Sequence, residues 1–178
     1  MKKIIAAIAL SALASTSFAG FAPVSPTITS TPTKKTDNKF YAGLNWTLGE
    51  SAIPQFVLGF RNAKVTSGGD VYGSSVSMSF HLAKPGPGKL KLGYFEGKDD
   101  LQGEAGLGYD FASNKFLGGI GVQGPYLTGG LDYLLGGTFE PYLGVNSIGK
   151  YKKPAANTVA SCPVNYTLSG GTCVFNPV

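Results

Sequence analysis

His81 is the single histidine of the 178-residue chain, and so the side chain best placed for proton transfer near neutral pH. A general base needs a reacting hydroxyl and an orienting acid within hydrogen-bond reach, and Ser79, two residues away, shares its strand face. No motif brings an acid to this pair, so the sequence points away from catalysis, and no cofactor is expected. Cys162 and Cys173 are the only cysteines. Two sulfurs with no histidine nearby fall short of four zinc ligands, whereas in an oxidising compartment they close a disulfide loop. Such a closure is worth roughly 3 kcal/mol of chain entropy. The strings Gly118-Gly119-Ile120-Gly121 and Gly103-x-x-Gly106 are not phosphate loops, because no helix follows to offer its amino terminus.

The remaining chemistry lies in charge and its scarcity. Charged residues make up 14% of the chain, against about 25% in a typical soluble domain. The 26 glycines are about twice the usual share. No apolar run reaches the roughly 20 residues of a spanning helix, and glycine does not recur every third position as in collagen. Residues 1–19 read as a secretory signal peptide, with Lys2 and Lys3 ahead of an apolar stretch and Ser17-Phe18-Ala19 as a small-x-small cleavage site. Its removal lowers the formal charge from +5 to +3, and nucleic acid is not an expected partner. A Pro/Ser/Thr-rich linker is expected over 20–38, a sheet body over 39–151, and a linker with the Cys loop over 152–178.

Period-two alternation runs through the body in eight segments. Phe40, Ala42, Leu44, Trp46 and Leu48 share one face of the first; Tyr41, among the small residues of the other, breaks the pattern. Val57 is a similar exception in the second. Turn signals such as Ser67-Gly68-Gly69-Asp70, Lys84-Pro85-Gly86-Pro87-Gly88 and Gly136-Gly137-Thr138 separate the segments. The expected fold is all-β: an eight-stranded antiparallel up-and-down barrel with a short disulfide-closed tail.

The two faces decide which side points inward. A solvated face is dense in charge, but the less apolar face here is built of Gly43, Gly59, Gly73, Gly93, Gly106, Gly121, Gly130 and serines. Small residues suit the interior of an eight-stranded barrel, which is just wide enough for side chains to fill. Arg61, Lys89, Lys91, Glu104, Asp110, Asp132 and Glu140 fall in with them as an expected polar network. The apolar face then meets lipid, with Trp46, Tyr72, Tyr94, Tyr109 and Tyr133 as interfacial aromatics.

With these features, residues 39–151 resemble the small eight-stranded outer-membrane β-barrels of the OmpA and OmpX type. The resemblance is one of class, carried by strand number, face polarity, signal peptide and girdle aromatics. It implies an outer-membrane location and both barrel ends on the periplasmic side. Lys34, Lys35 and Lys39 would there meet Lys150, Lys152 and Lys153 in a basic rim that touches lipid or another envelope component. The function expected is structural, anchoring or interacting, with membrane lipids as partners and the tail contacting a periplasmic or envelope component. The alternatives are a secreted or periplasmic soluble barrel that binds a small apolar ligand, and a narrow channel.

Overall fold

A computed structural model describes residues 24–49, 52–82 and 85–176; the expected signal peptide lies outside them. Twelve strands form and no helix is present among the described residues. Eight of them close a barrel: β2 (Lys34–Thr47), β3 (Gln55–Thr66), β4 (Asp70–His81), β5 (Gly86–Lys98), β6 (Leu101–Asp110), β7 (Lys115–Gln123), β8 (Leu127–Leu134) and β9 (Thr138–Asn146). Each pairs antiparallel with the next, and β9 returns to β2 through Gly43↔Asn146 to Thr47↔Tyr142. The ladder shifts register once, between Met78 and Phe80 against β5. Pro87, which has no amide hydrogen to give, sits at that irregularity, and the Lys89 amide donates instead to the Ser79 hydroxyl at 2.7 Å.

The barrel begins at Lys34, inside the stretch expected to be linker, and its last strand stops at Asn146 rather than 151. Polar residues on both faces of 34–38 hide the period-two signal. Backbone pairing from Lys34↔Thr66 to Asn38↔Asn62 makes the strand regardless.

Alternation gives each strand an inner and an outer row. Over most of the barrel the outer row is apolar, with Leu58, Val76, Leu92, Leu107, Ile120 and Leu143 exposed, while Arg61, Lys89 and Asp132 are buried inside. Toward the end that carries Lys34 and Asn146 the order reverses on β3, β4 and β5. Ala63, Val65, Val71 and Phe95 are fully buried there, and Lys64, Ser74, Glu96 and Lys98 are exposed on the outside. Residues 147–151 leave the wall and cross this mouth as a strap. Ile148 and Tyr151 join the apolar cluster, and Tyr41 packs against it. The strap is tied by Tyr126 N to Ile148 O at 2.7 Å, Ser147 N to Ala42 O at 2.9 Å and Tyr151 N to Asp99 O at 3.0 Å.

Outside the barrel, β1 (Thr27–Thr31) pairs with β10 (Asn157–Ser161), and β11 (Tyr166–Ser169) with β12 (Thr172–Phe175). The second pair is a hairpin turned by Gly170 and Gly171, whose φ values of 57° and 84° match the two left-handed positions of a tight hairpin turn. Cys162 and Cys173 are joined in a disulfide with their Cα atoms 5.6 Å apart.

Candidate functional site

The lumen is the most chemically organised region of the barrel. Arg61 on β3 pairs with Glu104 on β6, whose carboxylate also accepts the Ser75 hydroxyl at 2.6 Å. The Arg61 guanidinium lies 4.2 Å from the centroid of the Phe95 ring, where the charged network meets the apolar plug. Asp132 reaches across the lumen from β8 to two lysines of β5, Lys89 at 3.1 Å and Lys91 at 2.6 Å. Lys89 also pairs with Glu140, and Lys91 stands over the Tyr142 ring at 4.2 Å. Asp132 is 1% exposed, so its charge is held by these lysines rather than by water.

Six of the seven expected interior charges thus meet in two clusters. Asp110 is buried apart from them. Its carboxylate accepts Ala112 N at 2.9 Å and Ser113 Oγ at 2.7 Å, which fixes the turn between β6 and β7. His81 meets the side-chain amide of Gln55 at 3.2 Å, and Ser79 donates its hydroxyl to Gln55 Oε1 at 2.8 Å. The histidine and the serine are therefore both engaged by Gln55, without the direct bond a nucleophile and its base require.

Two tyrosines fill what the charges leave. A Cβ on Gly59 would strike the Tyr41 ring, and one on Gly121 or Gly130 would stand 2.7 Å from the Tyr142 hydroxyl. Small inner-row residues are what let these rings lie across the lumen. Around Lys91 and Tyr142 remain pockets of about 20, 30 and 50 Å³, each room for one or a few waters. Tyr41 and Tyr142 were not among the expected site residues; the break in alternation at Tyr41 was the signal for the first.

The six rim lysines divide in two. Lys39 lies 3.9 Å from Asp37 and 4.1 Å from the Tyr151 ring centroid. Lys150 and Lys153 converge on Asp99 at 3.2 and 3.1 Å, and Lys150 is also 3.6 Å from Asp100. Lys34, Lys35 and Lys152 are exposed and have no carboxylate partner among the described residues. Asp99, which no motif marked, therefore clasps the strap through its carboxylate as well as through its carbonyl.

Burial pushes the Asp99 carboxyl up, but hydrogen bonds from Lys153 and Lys150, with their charges, outweigh it and hold it below the usual range. Asp99 in turn raises the Lys150 ammonium. A depressed carboxyl stabilises the fold above the ordinary aspartate value of about 4, and this is lost as pH falls through its lower folded value. Hydrogen exchange at the Tyr151 amide, which donates to Asp99, is expected to lose protection on acidification below about pH 4. In Asp99→Asn the protection should already be reduced at neutral pH and should lose this acid step. An unchanged acid step in that variant would assign it to another group.

Comparison with known proteins finds no matching family model, no matching curated protein and no matching solved structure, so the assignment of function rests on the geometry of this barrel alone.

Proposed function

We propose that the chain is an outer-membrane β-barrel of a Gram-negative-type envelope, with a non-catalytic anchoring or interaction role in which the stapled tail is the contacting part. One observation carries this reading: the barrel is inverted relative to a water-soluble one. Phe40 is 84% exposed and Leu107 73% on the outer wall, while Arg61 and Asp132 are 1% exposed inside. Contiguous apolar surface on this scale marks a surface that another phase covers. Its height fits lipid. On β6 the outer row runs from Leu101 to Tyr109, eight residue steps of about 3.3 Å tilted by about 45°, or roughly 19 Å, and Phe111 in the following turn extends it toward the apolar band of about 25 Å in membrane barrels. Tyr109 packs edge-on against Phe111 and Phe116 at one border of the band, as interfacial aromatics do. The filled, ion-paired lumen supports an anchor over a channel or a carrier of apolar ligands.

Cell fractionation is the direct test. The protein is expected in the outer-membrane fraction, soluble only with detergent, and faster on gels when unboiled. Recovery from the soluble periplasm would sink the reading. A substitution sharpens it: Leu107→Arg is expected to cost about 2–4 kcal/mol in lipid vesicles if Leu107 lies near mid-bilayer. On a water-facing wall the same change would fall within about 0.5 kcal/mol.

A further inference from the structure

The reversal of polarity along β3, β4 and β5 places the border of the apolar band. On the outer row it falls between Phe60 and Asn62 on β3, between Val76 and Ser74 on β4, and between Tyr94 and Glu96 on β5. A headgroup layer beside such a barrel lies just past that line, along the wall that β2 to β5 extend toward the strap.

Two lysines stand there without an ion pair among the described residues. Lys34 and Lys64 both belong to the outer row, and the register Lys34↔Thr66 and Thr36↔Lys64 makes them diagonal neighbours, roughly 7 Å apart. Tyr72 lies directly across from Lys64, and the Lys34 ammonium is 6.0 Å from its ring centroid. Of the acids on the same wall, one is ion-paired and the other, Glu96, lies directly across from Tyr72. Asp70 is paired with Lys98, and Glu96 accepts the Tyr94 hydroxyl at 3.5 Å. Lys64 has no ion pair among the described residues. Two exposed ammonium groups within reach of one phosphate, beside an aromatic hydroxyl at headgroup level, make a site for an anionic oxygen cluster.

We propose that Lys34, Lys64 and Tyr72 form a lipid-phosphate contact that selects anionic phospholipid headgroups on the leaflet next to the strapped end of the barrel. This rests on the membrane reading above and deepens it. It also moves the lipid contact away from Lys150 and Lys153, which are ion-paired with Asp99 and, for Lys150, Asp100.

The test uses the full mature protein refolded in detergent micelles containing equal phosphatidylglycerol and phosphatidylcholine, with bound lipids counted by native mass spectrometry. Wild type is expected to retain phosphatidylglycerol preferentially. Lys34→Gln with Lys64→Gln should lower that preference by about fivefold for each lysine. Lys150→Gln, at the same end and leaving Asp99 still paired with Lys153, should leave it unchanged. Equal retention of both lipids by wild type, or an unaltered preference in the double variant, overturns the contact. Displacement of the lipid by excess inorganic phosphate would reassign the site to free phosphate and overturn the lipid assignment. A protein that needs detergent and shows the gel shift but no lipid preference loses only this proposal; one that stays soluble without detergent loses the membrane reading as well.

Discussion

Asp132→Ala is expected to remove about 3–5 kcal/mol of unfolding free energy, measured by urea titration in lipid vesicles with the gel shift of the folded form as readout. The carboxylate is buried and bridges Lys89 and Lys91, themselves 8% and 26% exposed at their side chains. Removing it does more than delete two ion pairs. It leaves Lys89 with Glu140 alone and Lys91 with the Tyr142 ring and no ion pair, in a lumen with little room for water. Asp132→Asn keeps the shape and loses the charge, and should fall between wild type and alanine. Glu140→Ala, at the more open border of the same cluster, should cost less. A loss below about 1 kcal/mol in Asp132→Ala would mean that the lysines reach water freely, and that the lumen is wetter than its filled state implies.

Tyr151→Ala is expected to cost about 3–5 kcal/mol by the same measurement. Its ring closes the apolar cluster of Ala63, Val65, Val71, Phe95 and Ile148, and carries the Lys39 ammonium on its face. Truncation leaves a cavity where the walls cannot collapse, because they are strands of a closed barrel. It also frees the strap that Asp99 holds from one side only. Protection of the Ile148 carbonyl's partner amide, at Tyr126, should fall together with stability. Lys152→Ala, at the exposed residue just after the strap, is the matched control and should stay within about 0.5 kcal/mol. Equal effects from the two would mean that the strap does not plug the barrel.

Much of this architecture is legible in the sequence. The eight segments and their short turns follow from period-two alternation and turn chemistry, both local properties. The inner charges were legible for the same reason: Arg61, Glu104 and Asp132 share the phase of the glycines. Which of them would pair was not. Asp132 and Lys91 lie on strands far apart in sequence, and only closure brings them together across the lumen. Asp110 shares the phase of the network but is held by its own turn, two and three residues on. The start of β2 was hidden because polar residues occupy both of its rows, and the strap because the only sign of it is Ile148 falling out of the phase of Phe139, Leu143 and Val145.

By itself, then, the sequence determined the barrel, its face alternation and the scarcity of charge, because these depend on the chemistry of each residue and its immediate neighbours. Tertiary structure decided what the glycines are for. Gly59, Gly121 and Gly130 leave space into which Tyr41 and Tyr142 lean from other strands, a complementarity that only strand register can create. It also decided where the charge is free. Asp99 and Asp100 pair with Lys150 and Lys153 from a turn far away in sequence, while Lys34 and Lys64, on adjacent strands, are left without an ion pair among the described residues.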